Sequence, residues 1–339
     1  MKYSIGYQLP DEYDSTYEIC RDYSGKISEV FFSWGSEASG RLPLGTKDES
    51  EEIESIQLEE LKKIKKLNIK LALLMNANCY GEKASSTEFA KKVTSNVAKL
   101  KKELCIDSVT TASPFVAEIL KCEFADSISI RASVNMRIGS VRAMEQLSRD
   151  FDGFYLKKEA NRRFNIIDEL HSWCSQNGKT LHLLANSGCL TDCAFQTYHD
   201  NLVAHQSLDF KYSSQTSDPS PCYRYLKSMK PEKAMAEFMA SNWIRPEDIH
   251  LYEKYFDEAK LATRMHSRPR MVVAAYCRER FTGNLLDLTE PSYSGLFKGN
   301  VIDNTLLPPD WFANVLRCNK SCSDCRICSN ALEKSLVKY

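Results

Sequence analysis

Seven of the thirteen cysteines in this chain fall into two groups with the spacing of metal or cluster ligands. Cys189 and Cys193 sit in Asn186-Ser187-Gly188-Cys189-Leu190-Thr191-Asp192-Cys193, and Cys222 follows in a later loop. The second group is the C-terminal run Cys318, Cys322, Cys325 and Cys328. Thiolates are soft ligands that select iron–sulfur clusters, zinc or cuprous copper. The choice among these decides between a redox enzyme and a zinc-pinned binder.

The pair Cys189 and Cys193 lies about one helical turn apart, and Gly188 lets the backbone turn tightly so that both sulfurs face one point. With Cys222 added, three thiolates would hold a 4Fe–4S cluster and leave one iron open to substrate. Cys79, in Asn76-Ala77-Asn78-Cys79-Tyr80, is the candidate for the fourth place. His199 is a second candidate, or a proton carrier. In the tail, Cys322-x2-Cys325-x2-Cys328 is the tripod by which ferredoxins hold a cubane, and Cys318 would be the fourth ligand. Zinc more typically takes two knuckles a dozen or more residues apart. A second 4Fe–4S cluster acting as an electron relay is therefore expected in the tail, with zinc as the alternative. Lys320 and Arg326 would offset its charge. The lone Cys20, Cys105, Cys122, Cys174 and Cys277 are expected to pack as small apolar groups.

What must position these residues is a strand–helix rhythm. Apolar or β-branched runs recur at 2–9, 29–34, 70–76, 108–112, 127–133, 153–156, 180–185 and 258–261, with helical patterns such as 55–67, 86–104, 141–149 and 166–176 between them. Alternation of this kind implies right-handed βαβ units and a parallel sheet. Eight units predict an α/β fold of the (β/α)8 TIM-barrel type over residues 1–265, with a cluster-binding loop at 186–222. No G-x-G-x-x-G follows the first strand, which disfavours an open doubly wound sheet. Residues 266–339 read as a C-terminal cysteine-rich extension, irregular except for a helical 333–338. The polar stretch 201–221 reads as a long loop over the mouth.

Barrel chemistry gathers where the strands end at the C-terminal face. Arg131, Lys157, Arg162 and Arg264 fall there and would hold anionic substrate groups, since a guanidinium fork binds a carboxylate with two hydrogen bonds. Ion pairing with Glu159 or Asp248 is the plainer alternative. Asn135 and His199 would orient substrate or move a proton.

With 45 basic and 45 acidic residues the net charge is zero, so no dominant nucleic-acid footprint is expected, although a local basic patch stays open. No apolar run reaches membrane-spanning length, and the N-terminus lacks a signal-peptide core. A cytoplasmic protein is expected, in whose reducing surroundings clustered cysteines serve as ligands rather than disulfides. G-x-S-x-G, H-E-x-x-H and Walker motifs are all missing.

The segments Ser127-Ile128-Ser129-Ile130-Arg131-Ala132-Ser133-Val134-Asn135, Gly153-Phe154-Tyr155-Leu156 with Asn161-Arg162, Asn186-Ser187-Gly188-Cys189 with Cys193 and His199, and Trp243-Ile244-Arg245-Pro246-Glu247-Asp248-Ile249 leading to Lys260-Leu261 and Arg264 resemble, in order, the collagenase-like peptidase family U32. The resemblance covers residues 1–270. It implies a barrel-like protein with a cysteine-ligated iron–sulfur cluster. Despite the peptidase label, it also implies kinship with oxygen-independent hydroxylases of the ubiquinone ring or of RNA bases, some with prephenate as the implied oxygen donor. A redox or hydroxylation enzyme acting on a small-molecule, peptide or RNA acceptor is the leading expectation. A peptidase comes second and a zinc-stabilised, non-catalytic binding partner third. The implied partners are a second protein of the family and an anionic small molecule, with nucleic acid not favoured. The tail run has no counterpart in the family pattern and would mark a specialised branch.

Overall fold

The computed structural model of the protein describes residues 1–45, 48–82, 84–206, 220–319 and 321–339. Eight parallel strands close into a barrel: β1 (Lys2–Gly6), β2 (Ile27–Phe32), β3 (Lys70–Met75), β4 (Ser108–Thr111), β5 (Ser129–Ala132), β6 (Gly153–Tyr155), β7 (Thr180–Leu184) and β8 (Glu258–Lys260). They pair in sequence order, and β8 closes on β1. The fold is thus the (β/α)8 barrel that the rhythm of the sequence predicts, followed by a cysteine-rich extension.

Helices α1 (Thr16–Asp22), α2 (Ser50–Lys65), α3 (Thr87–Leu104), α4 (Pro114–Phe124), α5 (Val141–Leu147) and α6 (Phe164–Gln176) connect the first seven strands. Several begin for a local reason. Ser15, Ser86, Ser113 and Ser140 each accept a hydrogen bond from a backbone N–H of the first turn, which satisfies a donor the helix cannot. In α3 the buried residues Val93, Val97, Leu100 and Leu104 recur every three or four positions and form the stripe that lies on the barrel.

Strand side chains alternate between two environments. Ile5, Val30, Phe32, Leu71, Leu73, Val109, Ile130 and Phe154 join the main apolar core under the helices. The opposite parity faces the barrel interior, where Phe31, Ala72 and Leu74 form a small apolar cluster of their own. Below it is a charged layer. Register sets Ser4 beside Glu29 on one side and Lys260 on the other. The Ser4 hydroxyl donates to Glu29, Arg131 pairs with Glu29 at 2.7 Å, and Lys260 Nζ stands 3.7 Å from the Phe31 ring centroid.

The connection from β7 to β8 is long and carries α7 (Gln196–Gln206), α8 (Pro221–Lys227) and α9 (Pro231–Ala240). Of the expected polar loop 201–221, residues 207–219 lie outside the described residues, as does Lys320. After β8 the extension holds α10 (Pro269–Cys277), α11 (Leu285–Leu288), β9 (Asn300–Ile302), α12 (Trp311–Leu316), α13 (Ile327–Ser335) and β10 (Leu336–Lys338). It is more ordered than its sequence suggests. Helix was expected over 333–338, but it runs through Ile327–Ser335, and Leu336–Lys338 is an antiparallel strand on Asn300–Ile302. A three-residue strand with a distant partner leaves no local periodicity. The extension shares the main core: Tyr3 donates to the carbonyl of Tyr276, and Tyr276 to that of Ile244. Among the described residues no helix is long and apolar enough to cross a membrane.

Candidate active site and cysteine centres

The loop after β7 is built by Asn186. Its side chain accepts from Ala262 N–H and donates to the carbonyls of Ala262 and Leu288, tying the ends of β7 and β8 to the extension. Gly188 then donates to the Glu290 carbonyl. A Cβ on Gly188 would lie 2.5 Å from the Pro291 oxygen and 2.6 Å from Thr289 Oγ1, so only glycine lets the extension approach this closely. The docked segment brings Glu290 and Tyr293 to the mouth.

Cys189, Cys193 and Cys222 are half-buried and stand near enough for their charges to interact, all three within the electrostatic reach of Tyr293. Burial alone would raise the Cys189 thiol. Lys158 and Arg41, with a hydrogen bond from Ser187, outweigh it and hold the thiol below its ordinary range. Burial pushes Cys193 and Cys222 up, and the nearby Cys189 adds to both; the Ser220 hydroxyl, 3.0 Å from Cys222, partly offsets the second. The Tyr293 hydroxyl is buried beside these thiols without a hydrogen-bond partner among the described residues. Tyr223 stacks on its ring at 5.5 Å.

The adjoining rim is basic, since Arg264 follows β8, the neighbour of β7, and Arg41 reaches Cys189. Gly6 ends β1 with no side chain where Arg264 crosses, since a Cβ there would meet the Arg264 backbone at 2.6 Å. Arg264 donates to Ser39 at 3.0 Å, while its Nη2 is buried and has no partner among the described residues. Burial, and then Arg41, lower its pKa to about 9, with Glu290 opposing. Asn76 accepts from Gly40 N–H at 2.9 Å, and Asn135 donates to the Asn76 carbonyl, so the two asparagines hold the loop that carries Ser39 and Arg41.

The candidates read from the sequence divide accordingly. Cys189, Cys193, Cys222 and Arg264 come together at the mouth. Asn135 is there too, but it positions a loop. His199, on α7, is kept neutral by burial and by Arg41 and Lys158, against the opposing pull of Asp200. Arg131 pairs with Glu29 inside the barrel through Nη1, while its Nε is buried without a partner among the described residues. Lys157 lies against Gly139, and its neighbour Lys158 reaches the cysteines instead. Cys79 accepts from Gly81 N–H and packs with Ala38, Ala77 and Ala204. It follows β3, which is four strands from β7 and so across the barrel from Cys189. Of the lone cysteines, Cys20 and Cys174 are buried as expected, whereas Cys105 and Cys122 are exposed on helix ends. The sequence reading missed Arg41, Lys158, Glu290 and Tyr293, whose loops meet only in three dimensions.

Arg162 points away from the mouth. It lines a cleft of about 690 Å³ together with Cys318, Cys322, Cys325, Cys328, Arg326, Thr191 and Asp192. Burial raises the Cys328 thiol to about 11, Arg162 pulls it back, and the other three tail thiols add to the rise. The four thiols therefore share one neighbourhood, and the cleft touches the loop between Cys189 and Cys193.

Among the described residues no group of three or more His, Cys, Asp or Glu side chains is arranged to hold a metal ion. The ligand sulfurs of a cubane stand farther apart than those of a mononuclear site. A cubane is thus compatible with the three convergent thiols, and the buried Tyr293 hydroxyl supplies a donor for a sulfur-rich group.

No family model matches the chain. It is 26% identical over 284 residues to an uncharacterized protease of Methanocaldococcus jannaschii, covering 81% of this chain and 80% of that protein. Among solved structures it is similar to the U32 peptidase Mk0906, with a TM-score of 0.56 and 14% identity over 77% of this chain and 92% of the other. The second likeness is one of fold, and it reaches the same barrel that carries the segments read in the sequence. The chain is thus similar in sequence to an archaeal protein named as a protease and in fold to a U32 peptidase, the family whose segments its sequence resembles.

Proposed function

We propose that this protein is a thiolate-ligated iron–sulfur enzyme of redox or oxygen-independent hydroxylation type, acting on an anionic small molecule at the barrel mouth. One observation carries the reading: Cys189, Cys193 and Cys222 converge beside Lys158 and Arg41 at the C-terminal ends of the strands. Those cations offset thiolate charge, which a buried cluster site needs. A bound 4Fe–4S cluster would supply one-electron chemistry or an open iron for substrate. Arg264 and Arg41 would bind the carboxylate of the substrate or donor, Tyr293 would donate a hydrogen bond toward sulfur or substrate, and neutral His199 would accept a proton. A second protein of the family is the partner this reading takes over, in a reducing, cytoplasmic setting.

A second reading, a cysteine peptidase, draws on the name of the archaeal relative and on the depressed Cys189 thiol, since a thiolate in an electropositive setting is a nucleophile. Two assays separate the readings. After anaerobic purification, iron and sulfide in near-equal amounts with a visible absorption band support the enzyme proposed here. Colourless, iron-free protein that cleaves fluorogenic peptides and loses this with Cys189→Ala supports the peptidase. Stoichiometric zinc without turnover removes both.

A further inference from the structure

Arg162 is a buried cation that makes no salt bridge among the described residues. It is 8% exposed, and the Asp248 carboxylate, within its electrostatic reach, makes its contact with Arg245 at 4.0 Å instead. Its guanidinium stands 4.8 Å from the Trp243 ring centroid and 5.5 Å from that of Trp311, two indoles stacked on each other at 6.1 Å. Three of its five N–H groups go to the carbonyl oxygens of Trp243 and Met239. Burying an arginine this deeply is costly unless a negative charge arrives. The thiols within its electrostatic reach are Cys328 and Cys318.

We infer that Arg162 is the built-in counter-charge of a second, independent 4Fe–4S site formed by Cys318, Cys322, Cys325 and Cys328. The geometry of the cleft supports this, because the guanidinium and all four cysteines line the same hollow. A four-thiolate cubane carries net negative charge, and reduction by one electron adds to it. A fixed cation beside it favours the reduced form. The indoles keep the guanidinium in place by packing and cation–π attraction without neutralising it. Arg162 thus acts through the cluster, as a residue that sets its potential. The inference rests on the proposed iron–sulfur chemistry but concerns a different set of ligands, so the two can fail separately.

The test uses the full chain, reconstituted anaerobically with iron and sulfide, and a Cys189→Ser/Cys193→Ser background that lacks the mouth ligands. That background should keep about half the wild-type iron. Its remaining cluster should be reducible by dithionite in a titration followed by paramagnetic resonance. Adding Arg162→Gln should move the midpoint potential to more negative values, and Arg162→Lys should recover much of it. A melting curve for each variant shows that the fold is intact. An iron-free Cys189→Ser/Cys193→Ser protein overturns the second site, whatever the mouth holds. An unchanged potential in Arg162→Gln overturns the counter-charge role while leaving the site standing. Iron that survives Cys189→Ser/Cys193→Ser but vanishes completely in Cys322→Ser/Cys325→Ser supports this inference and removes the mouth cluster.

Discussion

Lys158 and Arg162 stand on the single loop after β6, and each serves a different cysteine group: Lys158 reaches Cys189, while Arg162 faces Cys318 and Cys328. The short 3-10 turn over Lys158–Ala160 separates their directions. Asn161, between them, donates to the carbonyls of Leu184 and Asn242 and so locks the loop against the end of β7. Any shift of this loop would move both cations together. The two cysteine groups are in this sense mechanically joined, although Cys189 and Cys318 lie more than a hundred residues apart in sequence.

Arg131 and Glu29 form the buried ion pair of the barrel interior, 2.7 Å apart. Arg131→Met should leave Glu29 as an uncompensated interior charge and cost about 3–5 kcal/mol in urea unfolding. Glu29→Gln together with Arg131→Met should recover most of that loss. If Arg131→Met instead left stability unchanged and abolished substrate binding, Arg131 would be a ligand-binding residue after all.

The same layer predicts a pH dependence. Burial, with Arg264 and Arg131 adding and Glu29 opposing, lowers Lys260 from 10.5 to about 7. Between those values the unfolded chain binds the extra proton, so stability rises with pH across that window. Burial and Glu29 raise Glu258 from 4.5 to about 7, against Ser28, Arg131 and Lys70. There the folded state binds the extra proton, and stability falls as pH rises from 4.5 toward 7. Lys260→Met should therefore be stabilising near neutrality, on the order of 1 kcal/mol or more. Its advantage over the wild type should shrink as the pH is raised into the alkaline range. A gap that does not change with pH would mean that Lys260 keeps its proton throughout.

These interior groups also show what a sequence conveys and what it withholds. Most of the strands are legible because they are short apolar runs bounded by polar residues, as in Lys70–Met75. Cys189 and Cys193 are legible because one loop carries both. Arg41 and Glu290 are not, because the packing of Gly40 on Asn76 and of Gly188 on Pro291 brings them to the mouth. The exchange of Lys157 for Lys158 reflects a finer limit. One residue of phase at a 3-10 turn decides which amine points inward, and spacing alone does not fix that phase.

Gly188→Ala tests the contact that brings the extension to the mouth. The added methyl would meet the Pro291 oxygen at 2.5 Å and Thr289 Oγ1 at 2.6 Å, both part of a docked segment with little room to move. Overpacking of this kind costs about 1–3 kcal/mol. Protein carrying this substitution should melt lower, lose iron from the mouth site, and become sensitive to proteases around residues 287–293. Full iron retention with unchanged proteolysis would show that the segment yields without consequence.

Arg264 and Arg41 carry the last prediction, that the mouth recognises carboxylates. Arg264 Nη2 is buried without an acceptor among the described residues, and burial together with Arg41 already lowers its pKa to about 9, so an incoming carboxylate would relieve a standing electrostatic cost. Citrate, as a polycarboxylate probe in titration calorimetry, should bind the wild type and lose about tenfold or more in affinity with either Arg264→Gln or Arg41→Gln. Glu29→Gln with Arg131→Met should leave citrate affinity close to the wild type, because that pair lies in the barrel interior below the rim. The affinity should also weaken with added salt, though less steeply than for an exposed site, because buried charges are less screened. Citrate binding that ignores both rim arginines but responds to the interior pair would move the substrate site into the barrel and overturn the assignment of the rim.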